Sequence, residues 1–505
     1  MAHSRLAEDD EKSVSRFAGN EHNYRFENTM KFSVTSRSSA NKAGIGAERL
    51  MARCNVANNS CGAETKMNDQ THSFGAAPIL DRQWAFIIGG LWLVVMSASL
   101  IESYAYRYAG VLLLILSLIS YLRSSSRPSI DWRGWLCLAW GTYALLRFSL
   151  QFALESDHPV GDRDLLFLMP LVFPSLAYAL FLCWPHLERL IAVYFGFALI
   201  VLLWGARITE VAAGKTVIPL IQHNQIHGAV CCGMIFIGAV FWLLYYLTEG
   251  ADRRTMRLYA SVLSPLICLL CLIGIYGAKS KGVWLSLLPV LPILAFLALR
   301  SLKQRLAVPL VLASLALLAA GAYAVRDNID HTAGATVSAA LAMFKDAGTT
   351  EPIGQAVSRS IESGSTPLAM SERLQLWSNA WELFSAAPIF GWGTEWLTRW
   401  PHTRYPNVGY TFMHNGYLEI LIRHGIFGAV VLGAMLACFC ASVWRAANRG
   451  IIPRHAMYAY FLILFFFSLT ILSNSNNRLA SGESLSILTA TFALACELRI
   501  RRQAA

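Results

Sequence analysis

Residues 226–247 read IHGAVCCGMIFIGAVFWLLYYL, twenty-two positions with no Asp, Glu, Lys or Arg. As a helix this run rises about 33 Å, enough to cross roughly 30 Å of hydrocarbon. Apolar runs of about 17 to 25 residues recur near 84–103, 106–122, 134–154, 164–184, 187–206, 257–277, 282–299, 305–325, 415–443, 455–473 and 482–498. Together they predict an all-α polytopic membrane protein with about 12 transmembrane helices. Composition points the same way. With 55% hydrophobic and 14% charged residues, the 505-residue chain has too little polar surface for a soluble globule. Its mean hydropathy is +0.45.

The spans divide the chain. Residues 1–82 form a polar tail rich in Ser, Asn, Ala, Arg and Lys, expected to be disordered and cytoplasmic, with no apolar run that would serve as a cleavable signal peptide. Residues 83–325 hold spans one to nine, and 326–413 form one long extramembrane loop. Residues 414–498 hold spans ten to twelve and 499–505 a second cytoplasmic tail. With the N-terminus inside, sixteen Lys and Arg fall in or beside the cytoplasmic connections and seven in the short outer ones, which puts the long loop outside. Within that loop Leu374, Trp377, Trp381 and Phe384 recur at steps of three and four and predict a helix after Ser371, stopped by Pro388, Gly391 and Gly393.

The net charge of +11 is the basic excess expected at cytoplasmic helix ends, and no nucleic-acid motif accompanies it, so no nucleic-acid partner is expected. The 11 cysteines lie mostly inside apolar spans and read as small buried hydrophobes. Cys268-Leu-Leu-Cys271 has redox spacing but an apolar setting, and Cys54 and Cys61 lack the second ligand pair a zinc site needs.

Polar groups with chemical potential gather at the outer ends of the spans. His414 opens span ten, where a side chain with an ordinary pKa near 6.5 can accept a proton at neutral pH. Arg423, nine residues further and about 13 Å deeper, needs a partner, and Glu419 four residues before it predicts an intrahelical ion pair. Lys281 stands at the outer end of span eight in Ala278-Lys-Ser-Lys-Gly-Val-Trp284, and Arg207 at the outer end of span five. Span six opens with Gln222-His223-Asn224-Gln225-Ile-His227. Its two histidines have a zinc-binding step but no third ligand, so a polar cluster lining a cavity through Asn224 is the better reading. Asn474-Ser-Asn-Asn-Arg478 and Glu483 lie on the same side and read as a lining for an acceptor path.

Three motifs, Arg373-Leu-Gln-Leu-Trp377, Phe390-Gly391-Trp392-Gly393 and His414-Asn415-(nine residues)-Gly425-Ile-Phe-Gly428, resemble those of the O-antigen ligase superfamily of membrane glycosyltransferases. The resemblance covers roughly residues 220–440. It implies a GT-C-like helical fold in a bacterial inner membrane, with the long loop and active site in the periplasm. It implies a donor glycan on undecaprenyl diphosphate, transferred to lipid A core or another glycan acceptor. In these terms His414 is the catalytic base, Arg373 and Lys281 hold the diphosphate with Arg207 as a further candidate, and Asn224, Asn415 and Trp377 line the substrate cavity. No cofactor and no metal are expected. The family's Ser-Arg-Gly-x-Trp appears here with Lys281 for arginine. A point charge replaces a bidentate fork, so the role is kept in weaker form or shared with Lys279 or Arg207.

Fixed cations beside a departing diphosphate stabilise its developing charge, and direct displacement at the anomeric carbon inverts it. O-antigen ligation is the leading reading, with polysaccharide polymerase and protein O-glycosylation as variants that differ in acceptor. A secondary transporter also suits about twelve spans, but the long loop follows span nine instead of dividing the chain in half, and the polar residues gather at one face. A non-catalytic assembly scaffold is the third alternative.

Overall fold

The computed structural model of the chain describes residues 82–125, 127–154, 165–250, 252–301, 338, 341, 353–362, 366–408 and 413–504. The tail expected over 1–82 (all but its last residue), span nine at 305–325 and much of the loop expected at 326–413 lie outside the described residues. The principal helices are α1 (Arg82–Ser97), α2 (Ala105–Arg123), α3 (Trp132–Leu154), α4 (Phe173–Cys183), α5 (Leu187–Gly205), α6 (Gln225–Thr248) and α7 (Arg254–Gly277). They are followed by α8 (Lys281–Ser301), α9 (Ile353–Glu362), α10 (Leu368–Ala386), α11 (Gly416–Asn448), α12 (Arg454–Thr470) and α13 (Ala480–Ala504). No strand occurs among the described residues.

Six described segments are long and apolar enough to cross a membrane: α2, Phe173–Gly205, α6, α7, α8 and α11. Two shorter apolar helices, α1 and α12, join them, and the chain is a multi-pass membrane protein. The expected spans four and five merge into one 33-residue stretch. Helices α3 and α13 cover two further expected spans but carry polar side chains along their length. Arg133, Glu483, Ser484, Thr491 and Glu497 are buried in protein there, where partners replace the water that hydrocarbon lacks.

Two apolar clusters hold the bundle together. One surrounds α6, the most deeply buried of the six, with α5, α7, α8 and α12 packed on it. Small residues allow that approach: a Cβ on Gly233 would lie 2.3 Å from the Phe466 ring, and one on Gly228 2.4 Å from the Pro219 carbonyl. Cys231, Cys232 and Cys271 fill this core as free thiols. The second cluster joins α1, α2, α3, α4, α11, α12 and α13.

Helix α11 is broken. The sequence reads as one continuous span, but Gly425 has φ 62 and ψ −162 in its interior. The backbone groups freed there bond to the loop after α10: Trp392 N–H donates to Ile422 O (2.7 Å) and Gly393 N–H to Arg423 O (2.8 Å). In return Ile426 N–H donates to Pro388 O (2.8 Å) and Phe427 N–H to Ile389 O (3.0 Å). The two backbones touch, since a Cβ on Gly425 would lie 2.2 Å from Ile389 O and one on Gly391 2.5 Å from Ile422 O. Helix α3 clamps the loop from behind. The Arg147 guanidinium donates to the Phe390 carbonyl and to Gly391 O (2.7 Å), and Gln151 Nε2 donates to Trp392 O (2.9 Å).

Two sequence expectations change here. Glu419 does not turn to Arg423 along the helix; its carboxylate accepts from Arg478 (3.0 Å) and from Ser475 (2.6 Å). Arg423 lies with its guanidinium 5.4 Å from the centre of the Trp396 ring instead. On α10 the buried residues are Leu374, Leu376, Asn379, Ala380 and Leu383, whereas Trp381 is 60% exposed. The buried stripe includes a polar residue that an apolar pattern omits: Asn379 exchanges two hydrogen bonds with the Tyr405 backbone (2.8 and 3.0 Å).

Gly425→Ala should lower thermal stability in detergent by more than the roughly 1–2 kcal/mol of a left-handed residue alone, because the new Cβ also meets a carbonyl. Gly433→Ala, in the same helix with nothing within 4 Å of its Cβ position, should leave the melting temperature unchanged or slightly raised.

Candidate active site

His414 precedes α11 in the left-handed region, φ 46. Among the described residues two other non-glycine residues share that conformation, Leu220 (φ 63) and Lys279 (φ 50), in the turns that enter α6 and α8. Such residues cost roughly 1–3 kcal/mol each and collect where a fold holds side chains for function. His414 is fixed from two sides. Its Nδ1 lies 3.0 Å from Asn474 Oδ1, an oxygen that can accept a hydrogen bond from Nδ1–H. The residue before it is tied to α10, where Trp377 Nε1 donates to Met413 O (3.1 Å). Met413 also packs with Ala380, Leu383, Trp396 and Ile422 in a small apolar cluster.

Arg373 is half-buried on α10, one turn before Trp377 and on the same face, about 6 Å along the axis. Lys281 is the first residue of α8 and exposed. Its neighbour Gly282 packs so closely on Ser473 that a Cβ would lie 2.3 Å from the Ser473 hydroxyl, and Ser473 adjoins the Asn474 that holds His414. A connected series of contacts thus runs from α8 through 473–474 and His414 to Trp377 and the turn bearing Arg373. Arg207 is exposed and faces Glu210 at 3.7 Å, and its short helix Ile208–Ala212 packs Val211 on Gly277 just before α8. Lys279 donates to Gly214 O, so its ammonium serves that loop.

Two of the residues expected to line a cavity act on the backbone. Asn224 caps α6, accepting from Ile226 N–H (2.8 Å), and Asn415 caps α11, accepting from Tyr417 N–H (3.0 Å) and Leu418 N–H (3.2 Å). Each cap fixes the helix start beside a histidine. Trp377 likewise spends its polar atom on positioning the His414 turn.

The segment 471–483 holds the start of α11 in place. Gly416 N–H donates to Ile471 O (2.8 Å), and the Glu419–Arg478 ion pair is almost entirely buried, with side chains 3% and 4% exposed. At its far end Glu483 accepts from Tyr106 and from Arg107 (3.0 Å) on α2. Asn476 is 1% exposed, and neither its amide nitrogen nor its oxygen meets a partner among the described residues. A further polar link joins the loop after α1 to the start of α6. Glu102 accepts from His223 N–H (2.9 Å) and faces His227 Nδ1 at 3.1 Å. Burial alone would raise the Glu102 carboxyl, but the His227 hydrogen bond and charge, followed by those of His223, outweigh it and bring the pKa down to about 2.

Sequence reasoning missed Glu102, Arg147 and Gln151. The latter two carried a usable signal, being polar residues inside an apolar span. Glu102, one of 31 acidic residues at an ordinary span end, carried none.

Compared with protein families, the chain matches O-antigen ligase over residues 266–433, a stretch that contains Lys281, Arg373, Trp377, His414 and Gly425. No curated protein matches the chain significantly.

Removing one partner of the buried pair, as in Arg478→Ala, should destabilise the protein by about 3–5 kcal/mol in detergent unfolding, against under 1 kcal/mol for Arg207→Ala in its exposed pair. The depressed Glu102 carboxyl stabilises the fold above its ordinary value of 4.5, and that contribution is lost as pH falls from there towards about 2. Over this interval the melting temperature of the wild type should fall more steeply than that of Glu102→Gln.

Proposed function

Because the chain belongs, through residues 266–433, to the O-antigen ligase superfamily, we propose that it transfers a polysaccharide from undecaprenyl diphosphate to an acceptor hydroxyl, ligating O-antigen to lipid A core in lipopolysaccharide biosynthesis. The observation that carries this reading is the His414 ring held at Nδ1 by Asn474, on a turn tied by Trp377 to the helix of Arg373. A neutral imidazole with its proton on Nδ1 presents Nε2 as a general base. It takes the proton of the acceptor hydroxyl as the oxygen bonds to the anomeric carbon. The bond from that carbon to the diphosphate oxygen breaks with its electron pair, and the configuration inverts.

Charge on the departing diphosphate is met by Arg373, whose planar fork suits two phosphate oxygens, and by Lys281 as a point charge. Arg207, exposed beside the loop that packs before α8, is the further cation of this set. The activated donor is already lipid-linked, so the reaction requires no nucleotide, and in this reading Arg373 and Lys281 take the place of a metal at the diphosphate. The site faces the periplasm of a bacterial inner membrane, a side assigned by the excess of Lys and Arg at the opposite helix ends.

A deletion strain should produce lipid A core without long chains and accumulate carrier-linked polymer, seen on lipopolysaccharide gels. Single-repeat caps would instead identify a polymerase. In a transfer assay with purified protein, His414→Ala should reduce the rate by about 10²–10⁴-fold, the range of a general base, and Asn474→Ala by less. Wild-type activity in a folded His414→Ala variant would refute the proposal.

A further inference from the structure

A second cleft, of about 340 Å³, lies between α2, α3, α4 and α13 at the end of the bundle remote from His414. Helix α13 starts beside the 476–478 turn, and Arg501 is 21 residues further on, about 32 Å along the axis, close to a bilayer's hydrocarbon thickness. The cleft therefore shares no wall with the candidate active site.

Its lining changes character along the membrane normal. Leu114 on α2, Leu138 on α3 and Leu494 on α13 are each seven residues, or about 10 Å, inside the polar positions Tyr121, Asp131 and Arg501 of the same wall. The inner part is apolar and the mouth is charged. At the mouth, Arg133 bridges Asp131 (2.7 Å) and Glu497 (3.3 Å), and Glu497 also accepts from Arg445 (2.6 Å). Both acids are thus matched by cations, and Arg501, bonded to the Ser129 carbonyl, adds a positive charge that no acid among the described residues offsets there. The donor capacity is also incomplete. Arg133 is 8% exposed, and the buried Nε of Arg133 and of Arg501 have no acceptor among the described residues.

A recess with apolar depth, a net positive mouth and orphaned guanidinium donors complements an amphiphile with an anionic head. We propose that the cleft binds an anionic phospholipid of the leaflet at the arginine-rich helix ends, with an acyl chain against Leu114, Leu138 and Leu494 and the phosphate against Arg501. A zwitterionic lipid brings a second, positive group to the same mouth and gains less. The bound chain lies between α2, α3 and α13; α3 and the turn before it otherwise meet α13 at this end through the Arg133 and Arg501 contacts.

The test is native mass spectrometry of the full chain in detergent, titrated with dioleoyl phosphatidylglycerol or dioleoyl phosphatidylcholine. The wild type should retain the phosphatidylglycerol adduct at least about fivefold more strongly, the increment of one interfacial arginine, and Arg501→Gln should remove that preference. Leu138→Trp, which fills the recess, should remove the preferred adduct while the melting temperature stays that of the wild type. Equal retention of the two lipids, or a preference that survives Arg501→Gln, would overturn the proposal. So would displacement of phosphatidylglycerol from the wild type by undecaprenyl phosphate, which would give the recess to an isoprenoid chain. Should Leu138→Trp fail to fold, the Arg501→Gln comparison decides alone, since Arg501 is only half-buried.

Discussion

The break in α11 at Gly425 is the constraint on which the rest of the candidate site depends. In hydrocarbon an unpaired backbone amide costs several kcal/mol, so a helix can open only where other protein groups take up its N–H and C=O groups. Here the Pro388–Gly393 loop does so through four backbone hydrogen bonds, two in each direction. The loop's own spare carbonyls, at Phe390, Gly391 and Trp392, are occupied by Arg147 and Gln151 of α3. Helix α10 is therefore attached by main chain, through the loop that follows it, to the interior of α11, a helix long and apolar enough to cross a membrane. The Phe-Gly-Trp-Gly and Gly-x-x-Gly motifs are two halves of one device, each supplying a glycine with positive φ.

A second layer of fastening acts on the histidine itself. Buried charge is costly unless paired, and the Glu419–Arg478 pair holds the first turn of α11 against the turn before α13. That turn contributes Asn474, so the group that faces His414 Nδ1 is anchored a few residues from the helix that carries the histidine. The left-handed backbone at His414 is retained because Trp377, Asn474 and the Asn415 cap all specify it. The reaction proposed above would call for such rigidity, since in it a base and two cations meet a glycan and a diphosphate with little reorganisation.

The two ends of the bundle are built differently. At the His414 end, histidines, asparagines and a few paired acids line short turns with strained backbone. At the other end arginines dominate, with Asp131 and Glu497 bridged by Arg133 and Arg445. Between them α6 is packed on all sides and joins the two ends through small residues, so its role is structural along most of its length.

Much of this was legible in the sequence. Apolar length alone determined a helical multi-pass membrane protein, because a chain in lipid must bond its own backbone within each segment. The motifs directed attention to Arg373, Lys281 and His414, residues on elements that contacts through Trp377 and Ser473–Asn474 connect. Helix-pair rules proposed Glu419 with Arg423, and the tertiary structure gave Glu419 to Arg478 instead, since a partner 59 residues away can reach a buried carboxylate from a direction that periodicity does not represent. The break at Gly425, the clamp from α3, the capping use of Asn224 and Asn415 and the Glu102 link were likewise decided only by the folded chain. Local pattern specifies which segments become helices, whereas the face a helix buries and the partner of a polar group depend on which distant backbone or side chain arrives beside it.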